Sequence, residues 1–185
     1  MSNNTPCVEF DPLAYGFEEV SPYTVGDLNP FKKVGKDWML ITSKDGNGKV
    51  NAMTASWGTL GELWNRPVAI CYVRPQRYTF ELTERSETFS LCFLGEKFRD
   101  ALVVCGRESG RDIDKLEKTG LDAALVGDAP VIVQSDLILV CRKLYHDYLK
   151  YENFVDKSVA EKNYPNKDFH RTYICEIVKA YIKKQ

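Results

Sequence analysis

Trp38-Met39-Leu40-Ile41-Thr42-Ser43, then Asp45-Gly46-Asn47-Gly48, then Lys49-Val50-Asn51-Ala52-Met53-Thr54-Ala55-Ser56: this stretch decides the fold. Two strand-like runs flank a cluster of glycine, asparagine and aspartate, residue types that tolerate the positive backbone dihedrals of a tight reversal. The segment therefore predicts a β-hairpin. Moving outward, Pro67-Val68-Ala69-Ile70-Cys71-Tyr72-Val73 reads as a third strand buried on at least one face, and Thr88-Phe89-Ser90-Leu91-Cys92-Phe93-Leu94 as a fourth with cleaner alternation. A short helix is predicted between them, with Tyr78, Phe80 and Leu82 as apolar contacts and Glu81, Glu84 and Arg85 in solvent. Phe98, Ala101, Leu102 and Cys105 have helical spacing, which places a second helix at about 97–104, ending near Gly106. A third is expected over 112–118, stopped by Gly120, and later strands around 130–133, 137–148 and 172–182. Strands outnumber and outlast helices. The pattern predicts a mainly β fold with peripheral helices, a closed or partly closed barrel rather than a doubly wound parallel sheet.

Ahead of the hairpin, the first 30 residues hold Pro6, Pro12, Pro22 and Pro30 and no sustained period, so they read as an arm. Its aromatic residues, Phe10, Tyr15, Phe17 and Tyr23, predict that the arm packs on the body, leaving residues 31–185 as the domain proper. The 185 residues suit one domain, and 44% apolar with 28% charged residues is the balance of an ordinary globular protein. A net charge of −1 gives no general electrostatic reason to expect nucleic acid or an anionic membrane as partner. No apolar run approaches the ~18 residues of a membrane span, and Met1-Ser2-Asn3-Asn4-Thr5 lacks the form of a secretory leader, so a cytoplasmic location is expected. The six cysteines are spread out, without C-x-x-C or a nearby histidine at zinc-ligand spacing, so no metal site is expected. Cys71, Cys92, Cys141 and Cys175 lie in apolar strand-like runs, where a reduced cysteine behaves as a small hydrophobe.

Chemistry concentrates in two segments. In Asn51-Ala52-Met53-Thr54-Ala55-Ser56-Trp57-Gly58 a strand with amide and hydroxyl side chains changes into a glycine-punctuated loop, with Trp57 and Trp64 beside it. Small side chains let backbone N–H and C=O groups of Met53, Thr54, Ala55 and Ser56 approach a flat heteroaromatic edge; ordinary Ser/Thr back-bonding at a strand end explains the same residues. In Arg74-Pro75-Gln76-Arg77-Tyr78-Thr79, two guanidinium groups and a hydroxyl sit at a strand end just before a helix, where free N–H groups and the helix dipole favour an anion such as phosphate. Two solvated arginines with Thr79 as a plain N-cap fit the segment equally well in isolation. Together the segments read as a site for an aromatic ring system carrying a phosphate tail. Trp38 and Trp64 are assigned to the core or to an interface.

These segments, with Gly106-Arg107-Glu108-Ser109-Gly110-Arg111-Asp112, the following Lys115, and Asp168-Phe169-His170-Arg171-Thr172-Tyr173-Ile174 before the last strand, resemble the flavin reductase-like family of FMN-binding split barrels, flavoredoxins included, over roughly residues 30–183. The resemblance implies a split β-barrel homodimer with FMN near the subunit boundary. It implies that Asn51 and Met53 to Trp57 line the flavin, that Arg74, Arg77, Tyr78 and Thr79 serve its phosphate, that Arg111 and Lys115 add positive charge nearby, and that His170 approaches the flavin or a subunit boundary as the candidate catalytic residue. It further implies an oxidoreductase moving hydride or electrons between NAD(P)H and flavin or a downstream acceptor. No G-x-G-x-x-G followed by an acidic residue is present, so the pyridine nucleotide is expected as a transient co-substrate without a Rossmann site. A flavin-binding electron carrier without NAD(P)H turnover, and a non-redox barrel binding another phosphorylated ligand, remain the rival readings.

Overall fold

The computed structural model describes residues 7–184; Pro6 and the Met1–Thr5 segment lie outside the described residues. In chain order the strands are β1 (Val8–Glu9), β2 (Phe17–Val20), β3 (Met39–Lys44), β4 (Val50–Ala55), β5 (Gly58–Leu63), β6 (Arg66–Val73), β7 (Thr88–Leu94), β8 (Ala123–Val126), β9 (Ala129–Ile132), β10 (Ser135–Tyr148) and β11 (Arg171–Lys183). The helices are α1 (Pro30–Lys32), α2 (Tyr78–Arg85), α3 (Arg99–Arg107), α4 (Lys115–Thr119) and α5 (Lys157–Asn163). The main sheet runs β4-β3-β7-β10-β11-β6-β5, with β2 also pairing to β11, and a small sheet runs β1-β8-β9.

The predicted hairpin forms, with Ile41 opposite Met53 and Ser43 opposite Asn51. Asp45 organises its turn: the carboxylate accepts from the backbone N–H groups of Asn47 and Lys49, each at 2.9 Å, and Gly48 takes a φ of 84°. Gly120 ends α4 at a φ of 65°, as a left-handed C-cap. Residues 58–63 differ from the expected loop. They form β5, which pairs along β6 from Gly58 opposite Cys71 to Leu63 opposite Arg66. Trp64 and Asn65 both have a φ of 55°, so they form the two-residue reversal of this second hairpin. Gly58 is required where β5 crosses its neighbours, because a Cβ there would lie 2.9 Å from the Ile70 carbonyl oxygen and 3.1 Å from Met39 Cε.

The core has two parts. One fills the inside of the main sheet with Met39, Ile41, Met53, Phe89, Leu91, Phe93, Leu139, Tyr173 and Ile177. The other lies between that sheet, the small sheet and α3, and includes Leu40, Cys92, Leu102, Val131, Ile138 and Tyr181. The arm contributes to the second: Phe10 and Phe17 are buried, and Phe10 meets Tyr181 edge-on at 5.3 Å. Tyr23 stays exposed. Cys71, Cys92, Cys105, Cys141 and Cys175 are buried and unbridged, consistent with their reading as small hydrophobes. Trp38 is half-buried with the Arg99 guanidinium 4.5 Å above its ring, whereas Trp64 is 55% exposed and outside the core. Glu84 is not a solvated helix residue: it accepts from the Tyr173 hydroxyl at 2.6 Å and from the Arg171 guanidinium at 3.2 Å. No helix among the described residues is long and apolar enough to cross a membrane, and no group of three His, Cys, Asp or Glu side chains gathers at metal-binding distance there.

Candidate functional site

A cleft of about 220 Å³ opens where β4 ends and β6 leads into α2. Its floor is Met53, Thr54, Ala55, Ser56 and Trp57; Tyr72, Arg74, Arg77 and His170 form the opposite side. The two segments singled out in the sequence thus meet. The pairing that joins them is long-range: β6 lies between β5 and β11, with Tyr72 opposite Thr172 and Val73 opposite Arg171, which carries His170 to the cleft. Tyr72 and the residues holding His170 were not legible as site residues, because only this register brings them there.

Each cation has its own electrostatic situation. Arg74 forms an ion pair with Asp168, donates to the Asn163 carbonyl at 2.9 Å, and lies over the Tyr164 ring at 5.1 Å. Gln76 also donates to the same Asp168 oxygen, at 2.7 Å. The Arg74 charge is therefore compensated. Arg77 instead donates to two carbonyls at the C-terminal end of α3, Gly106 at 2.6 Å and Cys105 at 2.9 Å. Those oxygens carry the negative end of the helix dipole, a favourable place for a guanidinium. No carboxylate pairs with Arg77 among the described residues, and its burial lowers its pKa.

Lys115 reaches the same helix end from behind. Its ammonium donates to the Ala52 and Cys105 carbonyls, each at 3.0 Å, and only 3% of the residue is exposed. Desolvation first, and the Arg77 charge second, lower its pKa to about 8. It stands behind the cleft wall and does not line it. Arg111 forms an ion pair with Glu81, donates to the Gln76 carbonyl at 3.1 Å, and lies over the Tyr78 ring at 5.3 Å, so its charge too is compensated.

Asn51 and Thr79 also turn inward. Buried residues of α2 are Thr79, Leu82 and Thr83, one face of the helix, so helical periodicity points the Thr79 side chain away from the cleft. Its hydroxyl oxygen accepts from Asn51 Nδ2 at 2.8 Å. The N-cap position belongs to Arg77, which makes no side-chain cap bond; this replaces the reading of Thr79 as the cap. Gly110 covers the pair closely: a Cβ there would lie 2.7 Å from Asn51 Cγ and 3.0 Å from Tyr78 Cδ1.

His170 is 8% exposed and shares a 2.8 Å hydrogen bond between Nδ1 and the Tyr164 hydroxyl. Its ring lies 5.2 Å from Trp57 and 6.3 Å from Tyr72. Burial, with the Arg74 charge next, lowers its pKa to about 4, so the imidazole is neutral near pH 7. The cleft therefore offers a strand-end backbone, a hydroxyl at Ser56, an aromatic wall with a neutral imidazole, and one uncompensated guanidinium beside the N-terminus of an eight-residue helix.

The flavin reductase like domain model matches residues 31–185. The chain belongs to that family. The flavin reductase-like fold is also seen in solved structures. An FMN-binding domain of a flavin reductase-like enzyme from Shewanella baltica has a TM-score of 0.64 at 16% identity, covering 90% of this chain and 77% of that one. Flavoredoxin from Methanosarcina acetivorans has a TM-score of 0.62 at 24% identity, covering 80% of this chain and 69% of that one. An FMN-binding protein from Thermus thermophilus with bound 1-cyclohex-2-enone has a TM-score of 0.60 at 19% identity, covering 79% and 70%. At these identities the likeness is one of fold. No curated protein sequence matches the chain.

Proposed function

We propose that the chain is an FMN-binding oxidoreductase of the flavin reductase-like kind, passing hydride or electrons between NAD(P)H and flavin or a downstream acceptor. The observation that carries this is the meeting of Met53–Trp57, Arg77 and His170 around one polar cleft in a chain of this family. The donor set suits the cofactor. Arg77 and the first N–H groups of α2 would hold its phosphate, and the charge of Lys115 behind them adds to the field without touching the ligand. The backbone from Met53 to Trp57 and the Ser56 hydroxyl would orient the ring edge. Bound FMN would supply the redox chemistry itself.

The chain's own residues then position, charge-balance and exclude water. Arg74 holds Asp168 neutralised beside the cleft, so that its carboxylate does not repel an anion. In this proposal Tyr164 donates to Nδ1, so that the neutral His170 carries its proton on Nε2 and serves as a hydrogen-bond donor rather than a cation. Trp57 meets the same imidazole at a tilt and is 46% exposed, leaving surface for a partner molecule. In this proposal the protein is a homodimer. Trp57 and Trp64 flank the two ends of β5, the edge strand of the main sheet, and both are exposed.

The test is spectroscopic. Purified protein titrated with FMN should give a saturable visible-band perturbation, and anaerobic addition of NADH or NADPH should bleach it with repeated turnover when an acceptor is present. Absence of FMN binding sinks the cofactor assignment. Binding without bleaching leaves an electron carrier instead of a reductase. Light scattering on the same sample checks the dimer.

A further inference from the structure

The excursion between β10 and β11 does more than return the chain. A single 3-10 turn, Tyr151–Asn153, and α5 border a half-open pocket of about 570 Å³, with Tyr151, Glu161, Pro165 and Lys167 on its exposed side. It shares no lining residue with the 220 Å³ cleft; the link is Tyr164, whose ring borders this pocket while its hydroxyl bonds His170 of the cleft. A volume in the range of about 300–1,000 Å³, mostly apolar lining and few polar groups are the marks of a small-molecule site.

The lining selects a shape and a charge. Three rings, Tyr151, Tyr164 and Phe169, and the small side chain of Ala160 leave flat apolar surfaces. Tyr164 and Phe169 hold each other at 4.8 Å between ring centres, with Phe154 behind both at 6.1 and 6.0 Å, so these walls are supported and not loose. Two charged residues stand at the rim. Glu161 accepts from the Tyr151 hydroxyl at 3.2 Å. Lys167 makes no side-chain hydrogen bond or ion pair among the described residues. Its backbone is fixed at a φ of 55°, and its N–H donates to the Tyr164 carbonyl at 3.0 Å, which pins the start of the side chain next to that ring.

We propose that this cavity is a second binding site, for a flat aromatic acid of one or two fused rings, with the ring against Tyr151, Tyr164 and Phe169 and the acid group on Lys167. The inference does not rest on the flavin reading. A ligand here presses on the residue that hydrogen-bonds His170, so the site is placed to sense or influence the cleft, but its occupancy is measurable on the flavin-free protein.

The test uses 2-naphthoate, its uncharged analogue 2-naphthylmethanol, and cyclohexanecarboxylate, each titrated into the flavin-free full chain by calorimetry and ligand-observed NMR. One saturable site for 2-naphthoate is expected, with both comparison compounds weaker by about two- to fivefold, as loss of a rim charge interaction or of the flat ring implies. Lys167→Gln, at an exposed position, should bring 2-naphthoate down to the level of 2-naphthylmethanol. Ala160→Phe should abolish binding by filling the cavity, with circular dichroism checking the fold. Equal affinity for all three compounds, or 2-naphthoate binding unchanged in Lys167→Gln, overturns the proposal. So does failure of 2-naphthoate to saturate at millimolar concentration.

Discussion

Replacing Gly110 with alanine tests whether Asn51 is a buried anchor behind the cleft. The added Cβ would collide first with Asn51 Oδ1 and sit 2.7 Å from Asn51 Cγ and 3.0 Å from Tyr78 Cδ1, where ordinary contact needs about 3.5 Å or more, so the Asn51 amide must retreat by about an ångström or more. Its bond to Thr79 is 2.8 Å long at present, and such a retreat takes it past bonding range. Asn51 is 4% exposed and Thr79 1%, so water does not replace the lost partner. Overpacking costs about 1–3 kcal/mol and an unsatisfied buried polar group about 1–3 kcal/mol; allowing for partial relaxation, we expect about 2–4 kcal/mol. The assay is urea unfolding of a four-member cycle: wild type, Gly110→Ala, Asn51→Ala and the double variant. With Asn51 truncated only the Tyr78 contact at 3.0 Å remains. The second substitution should then cost less than about 1 kcal/mol, giving a coupling energy of about 2 kcal/mol. Additive single effects would refute the reasoning, because they would mean that position 110 does not press on Asn51.

Arg77→Ala should weaken FMN binding by about tenfold or more, as expected when a charged hydrogen bond is lost, read by fluorescence titration. Arg74→Ala should also weaken it, but through the carboxylate it leaves unpaired, so adding Asp168→Asn should recover most of the loss; no recovery contradicts the compensation argument. For His170 the folded pKa of about 4 lies below the ordinary value, so between about pH 4 and 6.5 the unfolded chain binds the proton and the folded one does not. Its contribution is fully present above pH 6.5 and falls as pH drops toward 4, so His170→Asn should flatten the wild-type acid limb of stability over that window; identical pH profiles would contradict the burial argument. Lys115 behaves in the same sense at higher pH: its depressed pKa makes stability rise from about pH 8 to 10.5, and Lys115→Met should remove that rise in chemical-denaturation midpoints. Gly58→Ala should cost about 1–3 kcal/mol and speed amide exchange in β5, because its Cβ meets backbone at Ile70.

The legible parts of the fold were those set by local chemistry. The Asp45–Gly48 turn, the apolar runs that became β6 and β7, and the Gly120 cap all act within a few residues of themselves. β5 was missed because Gly58 and Gly61 break its alternation and no side of it is fully buried. β2 and α5 escaped for different reasons: β2 exists through pairing with the far end of the chain, and α5 is a short, polar helix. The same division runs through the site. Met53–Trp57 and the two arginines were visible as polar groups at strand ends. Which of their charges are already spent was not, since Asp168 and the carbonyls of α3 reach them only after folding. Thr79 was assigned to the ligand by its hydroxyl at the helix start and Asn51 by resemblance, whereas the structure pairs the two with each other in a buried position.

The last strand has an unequal pair of flanks. β10 follows one side for nearly its whole length, while the other is divided: β6 takes Arg171–Glu176 and β2 takes Ala180–Lys183. The family match begins at residue 31, so it leaves out the strand that closes the second half of that flank, as well as Phe10 and Phe17. Cutting the chain at the family boundary would bare a row of backbone donors and acceptors on β11 and the apolar face around Tyr181 together. Such a fragment should self-associate or precipitate where the full chain stays dispersed, and the smallest autonomous folding unit is then set by strand pairing with the arm and not by where the sequence family starts.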